Sequence, residues 1–151
     1  MGIYDSTEDT LKHKERVKEL MNAFIVQLQL RAENHDNSKL EEPEKSVLDH
    51  MTPKLKDLVY GSEEYKSNMG DLEEILEHHY KTNSHHPEFH DNGINGFDLG
   101  DLVEAFFDWV SAAERTKGGN IYDSIDICKT KFHMSGQLAL ILYNTATNLK
   151  L

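Results

Sequence analysis

The chain is poor in the residues that would place it in several whole classes of protein. Its single cysteine among 151 residues, Cys128, allows no intrachain disulfide and no thiolate zinc site, so any metal must be held by imidazole and carboxylate. That usage fits a reducing compartment, and a cytoplasmic location is expected. No apolar run approaches the roughly 18 residues that span a bilayer, and Met1-Gly2-Ile3-Tyr4-Asp5 lacks the basic and apolar regions of a signal peptide. A soluble, unexported protein with no membrane partner is therefore expected. Basic residues are also scarce. Sixteen Lys plus Arg against 27 Asp plus Glu give a formal net charge of −11, which repels phosphate backbones and argues against general nucleic-acid binding. If the ligand is nevertheless an anion, a bound divalent metal is the usual device that reverses the local field. The chain is rich in histidine, with nine residues.

No segment alternates with a period of two, and no internal repeat or low-complexity stretch occurs. Helical periodicity is plain instead. Leu11, Val17, Leu20, Phe24 and Leu28 recur on one stripe of a helix expected to start at Asp5 or Ser6, with Asp9 placed as in a capping box, and to run to about Glu33. Pro43 and Pro53 bracket a short helix from Pro43 to His50, and residues 60–68 read as a polar connection. A helix with Leu72, Ile75, Leu76 and His79 on one side follows, ending near Thr82. Asp91-Asn92-Gly93 and Asn95-Gly96 are turn signals, and a strong helix spans Leu99 to Arg115 before Gly118-Gly119. Two more helices fit Ile121 to Phe132 and Ser135 to Asn148. The expectation is an all-α bundle of about five to seven helices forming one domain over residues 1–151.

Candidate chemistry gathers on histidine and aspartate. His35-Asp36 stands at the break after the first helix, and both side chains suit a transition metal, although a polar helix end would explain the pair equally well. His78-His79, His85-His86 and His90 put five of the nine histidines within thirteen positions. The plain alternative is a solvated loop, which Asn, Ser and Lys would furnish without the pH sensitivity of imidazole. On its helix His79 projects with Leu72, Ile75 and Leu76, and His78 points to the flank. Asp108 sits in Phe106-Phe107-Asp108-Trp109-Val110, yet the helical wheel sets it opposite the apolar stripe beside Glu104, Ser111 and Arg115, so a solvated face competes with a buried ligand. His13 falls on the Val17, Leu20, Phe24 stripe and is expected to face the core. Lys39 could reach back over His35-Asp36 to a phosphate oxygen.

The order of these residues resembles the HD-domain superfamily of metal-dependent phosphohydrolases, in which a helical bundle holds one or two ions through a series H, HD, H, H, D. Within it the chain is similar to small phage and bacterial proteins carrying HD-x-S-K-L, HHY-x-x-N-x-HHPE and a late D-W, here His35 to Leu40, His78 to Glu88, and Asp108-Trp109. The resemblance covers about Thr10 to Asn144. It implies an HD-like bundle with His13, His35, Asp36, His79, His86 and Asp108 as ligands of one or two divalent ions among Fe, Mn, Zn, Ni and Co, with His78 and His85 as the alternatives within each histidine pair. Asp36 and Lys39 would be catalytic, with Lys39, His78 and His85 on the substrate. One spacing conflicts with this. His13 and His35 are 22 residues apart with no Gly or Pro between them, about 33 Å along a continuous helix. Either the chain turns near Asn22 or His13 is excluded.

The leading expectation is thus a phosphohydrolase acting on a nucleotide or similar small phosphate ester. A di-iron oxygenase of HD type and a non-catalytic helical binding protein, such as a phage factor that sequesters a host nucleotide or protein, are the alternatives. The acidic run Glu41-Glu42-Pro43-Glu44 reads as exposed surface. A homodimer through outward apolar helix faces stays open.

Overall fold

A computed structural model describes residues 4–55, 72–115 and 118–151, and among them the chain forms six α-helices and no strand. It divides into two compact units, Met1–His35 and Asp36–Leu151. The expected polar connection at 60–68 lies outside the described residues.

The first unit is one helix, α1 (Thr7–Asn34). Neither Gly nor Pro interrupts it, and Lys, Glu, Leu and Ala favour the helical state throughout. Glu8–Lys12, Glu15–Lys18 and Arg16–Glu19 pair along its surface at one-turn spacing. Its start differs from expectation. Ser6 is the N-cap but makes no side-chain cap bond, and the Thr7 amide donates to Asp5 Oδ1 at 3.0 Å. Asp9 completes no capping box, because its carboxylate accepts the Tyr4 hydroxyl. The apolar stripe is also not a core, since no residue of α1 is buried and Leu11, Val17, Leu20 and His13 are exposed. The turn near Asn22 does not form.

The second unit holds α2 (Glu44–Leu55), α3 (Glu73–Thr82), α4 (Leu99–Glu114), α5 (Ile121–Lys131) and α6 (Gly136–Leu149). Short 3-10 turns cover Asn37–Leu40, Pro87–Phe89 and Gly93–Gly96. The helix around Pro43 to His50 thus runs on to Leu55, carrying Pro53 in its last turn. Side chains close three helix starts. Asp98 and Asp101 form a reciprocal capping box, Asn120 accepts from the Asp123 amide at 2.9 Å, and Ser135 from the Leu138 amide at 3.1 Å. Gly118, at φ +79°, takes the left-handed conformation in the turn that follows α4, where a Cβ would be strained.

Phe106, Val110, Ile121, Ile125, Met134, Ala139, Leu142 and Ala146 interlock as the core of α4, α5 and α6. The opposite face of α4 carries Asp101, Glu104 and Asp108 at i, i+3 and i+7, an acidic row over two turns. One helix therefore separates the apolar core from the polar part of the unit. Ile125 is fully buried in that core. Ile125→Ala should lower stability by about 2–5 kcal/mol. Urea unfolding followed by circular dichroism checks this, and a loss below about 1 kcal/mol would mean the core is not packed as described.

Candidate metal centre

The centre in the second unit starts from a backbone reversal. Asp36 lies in the left-handed region, φ 56° and ψ 21°, a conformation that aspartate tolerates better than most residues. The Lys39 amide donates to the Asp36 carbonyl at 2.9 Å and closes the 3-10 turn that follows. That turn carries Ser38 to α3, where its hydroxyl lies 3.2 Å from His79 Nδ1, and leaves the Lys39 ammonium 2.6 Å from Asp36 Oδ2.

Two imidazoles are each backed by a carboxylate. His79, only 3% exposed, has Nδ1 at 2.9 Å from Oε2 of Glu44, which opens α2 and is itself 0% exposed. The other Glu44 oxygen lies 2.8 Å from His78 Nδ1. The Asn83 amide nitrogen directs its hydrogens to Ser38 Oγ at 2.8 Å and to the His79 carbonyl at 2.9 Å, so His79 Nδ1 is not needed as an acceptor there. In the tautomer that donates Nδ1–H to Glu44, the His79 lone pair lies on Nε2. His85, also 3% exposed, repeats the device, with Nδ1 at 3.1 Å from Glu104 Oε1 on α4.

The far nitrogens converge. His79 Nε2 is 2.9 Å from His86 Nε2 and 3.3 Å from Asp36 Oδ1, and His85 Nε2 is 3.5 Å from the same oxygen. Asp36, His79, His85 and His86 each offer one ligand atom, all within 4.8 Å of one another. An ion with bonds of about 2.1 Å has ligand–ligand edges of about 3.0 Å if octahedral and about 3.4 Å if tetrahedral. The separations of 2.9, 3.3 and 3.5 Å are of that size. Asp108 places a carboxylate oxygen within 4.8 Å of one from Asp36.

The electrostatics keep the His86 ring neutral. Burial, then the neighbouring His85 and His79, push the His86 imidazole down to about 3, against the opposing pull of Asp36. Burial alone would raise Glu44, but hydrogen bonds from His78, Ser38 and His79 outweigh it and hold the carboxyl below its ordinary range. Neutral imidazole and ionised carboxylate are the forms that ligate metals.

Of the residues singled out in the sequence, Asp36, Lys39, His79, His86 and Asp108 come together here. His85, expected on the substrate, is buried in the position of a ligand. His78, with its side chain 42% exposed, stays at the rim and turns Nδ1 to Glu44. His35 is the C-cap of α1 and the last residue of the first unit. His13, on the unbroken α1, stands about 33 Å along the helix axis from His35, so the spacing conflict resolves against it as a ligand.

His90 has a supporting place, its Nε2 donating to the Ser84 carbonyl at 2.8 Å while Ser84 Oγ donates to Asp101 Oδ1 at 2.6 Å. Glu44 corrects the reading of Glu41 to Glu44 as uniformly exposed. A carboxylate that ends an acidic run gives no local sign of burial, whereas Glu104, one turn before Asp108 on the same face, could have been found from that spacing.

No curated protein and no solved structure matches the chain. The sequence model of a family of unknown function, DUF5662, matches residues 2–148, and the chain belongs to that family.

Proposed function

We propose that the second unit binds a divalent transition-metal ion, Fe, Mn, Zn, Ni or Co, through Asp36, His79, His85 and His86, and hydrolyses a small phosphate ester such as a nucleotide. The observation that supports this most is the pair of carboxylate-backed imidazoles, His79 on Glu44 and His85 on Glu104, aimed with His86 at one Asp36 oxygen. Outer carboxylates of this kind fix the tautomer and orientation of a ligand histidine. They add nothing to a merely solvated loop. When bound, such an ion polarises a phosphoryl oxygen and acidifies a coordinated water to near neutrality.

The chain's own groups do the rest. Lys39, its side chain 43% exposed, sits on the second oxygen of Asp36 and can swing its ammonium to a phosphoryl oxygen as charge develops there. His78 stands at the rim with Nδ1 held by Glu44 and its other ring nitrogen available to a substrate oxygen. The order of these residues, similar to the HD-domain superfamily, supports hydrolysis over simple metal storage.

Protein purified without chelator or His-tag should contain near-stoichiometric metal by elemental analysis, and Asp36→Ala should lose it together with more than tenfold of any hydrolysis of p-nitrophenyl phosphate or nucleotide phosphates. Absence of metal after reconstitution with each of the five ions would overturn the site. Metal retained without phosphatase activity on that panel would overturn the reaction.

Glu44→Gln keeps the volume but weakens the hold on both His78 and His79, and metal affinity should fall by about 10–100-fold. Competition with a fluorescent chelator reads this out, and unchanged affinity would deny Glu44 its orienting role.

The metal-free protein should lose stability as pH falls from about 6.5 toward 3. In that window unfolded His86, titrating near its ordinary 6.5, takes up a proton that the folded residue, at about 3, refuses. Glu44, lowered in the fold, acts in the same sense at the acid end. Thermal midpoints of chelator-treated protein between pH 7 and 4 should show this slope, and His86→Asn should flatten it. A slope unchanged in that variant would remove His86 as its cause.

A further inference from the structure

Of the three histidines at the centre, two are fixed from behind and one is not. His79 and His85 turn Nδ1 to Glu44 and Glu104 at 2.9 and 3.1 Å, and both are 3% exposed. His86 is half-buried, the most accessible of the three. Among the described residues no carboxylate holds its ring, and its polar partner is His79 Nε2 at 2.9 Å. That bond cannot persist when both nitrogens face an ion. With the His79 lone pair on Nε2, His86 donates from a protonated Nε2, and to become a ligand it must carry that proton on Nδ1 instead. Packing holds the His86 ring, with the ring centres of His85, His79 and Tyr80 at 4.2, 4.7 and 4.9 Å. Such contacts restrain the plane of a ring but fix neither its tautomer nor the aim of its nitrogen, which a hydrogen-bonded outer partner does.

The distances divide the ligands in the same way. Asp36 Oδ1 is 3.3 Å from His79 Nε2 and 3.5 Å from His85 Nε2, values on either side of the tetrahedral edge of about 3.4 Å. The 2.9 Å between His79 and His86 falls below that edge and is a hydrogen-bond length. Asp36, His79 and His85 thus stand as three corners of a tetrahedral site, and His86 has to shift to supply the fourth. Four protein ligands on a tetrahedral ion make a closed site of structural type, whereas a hydrolytic site holds three and leaves the fourth position to water or substrate. The histidine that leaves at least cost is the one with no carboxylate behind it. Withdrawing His79 would strip a hydrogen bond from buried Glu44, and withdrawing His85 would part it from Glu104, but His86 gives up only ring contacts.

We propose that His86 is the exchangeable ligand of the centre, giving its place to a phosphate oxygen while Asp36, His79 and His85 hold the ion. The inference rests on the metal site proposed above. One lone pair replaces another, so neither electrons nor protons need be supplied. Reconstitution with cobalt(II) tests it through affinity and visible absorption, independently of any turnover. His86→Ala should weaken cobalt binding by about tenfold or less, and His79→Ala and His85→Ala by more than about a hundredfold. His86→Phe, which keeps the ring packing without the nitrogens, should bind cobalt as His86→Ala does. Saturating inorganic phosphate should change the wild-type spectrum, and the phosphate-bound spectra of wild type and His86→Ala should coincide, because the same three protein ligands remain. Equal losses in the three alanine variants, a wild-type spectrum indifferent to phosphate, or two phosphate-bound spectra that differ would each overturn the exchange and leave the metal site standing. A wild type that takes up no cobalt overturns the site itself and the exchange with it.

Discussion

The histidine centre of the second unit is arranged around a buried carboxylate that cannot stand alone. Glu44 is removed from solvent at the start of α2, and an ionised carboxylate there would cost several kcal/mol without partners. His78 and His79 meet its two oxygens, and Ser38 adds a third hydrogen bond. Satisfying Glu44 thereby fixes three separate stretches of chain: the turn after Asp36, the first turn of α2 and the last turns of α3. The orientation of His79 follows from that requirement. A ring whose Nδ1 is committed to Glu44 must turn Nε2 toward Asp36 and His86.

The second support comes from α4, which works in two directions. Phe106 and Val110 anchor the helix in a well-packed core, and a close-packed core holds its elements in register to a fraction of an ångström. On the other side Asp101 holds Ser84, Glu104 holds His85, and Asp108 lies near Asp36. The loop between α3 and α4 carries His85, His86 and His90 but little apolar anchoring of its own. It borrows rigidity from the acidic row of α4, and through that row from the core. The His90 ring, bonded to the Ser84 carbonyl and packed against Phe97, closes the loop on itself.

These dependencies explain what the sequence discloses and what it withholds. Helices with a clear apolar stripe are legible, and the structure adds Asp98, Asn120 and Ser135 as the caps of three of them. The inward direction of His79 follows from its spacing with Leu72, Ile75 and Leu76, and the placement of Asp108 beside Glu104 follows from the helical wheel. The wheel leaves open whether that second face meets solvent or the histidine loop, because contact with a loop is set by tertiary packing rather than by periodicity. Glu44 is hidden for the same reason: its histidine partners lie more than thirty residues away in α3. For α1 the periodicity was a sound guide to a helix and a poor one to burial, since an apolar stripe says that something covers it and not what. His13 shows the reverse case, where simple rise per residue excludes a ligand that an ordered motif had suggested.

Charge balance gives the last link between the fold and the proposed chemistry. Asp36, Glu44, Glu104 and Asp108 bring four carboxylates to the centre, and the imidazole of His86, with a value near 3, contributes no positive charge at neutral pH. Lys39, at 2.6 Å from Asp36, answers only one of the four. A chain of net charge −11 adds to the same sign. In the proposed centre Asp36 and the three histidines would hold a dication, which would offset two further negative charges while the outer carboxylates kept their orienting roles. Lys39 would then share Asp36 with the ion and could turn its ammonium to a phosphate at the rim of an otherwise acidic protein.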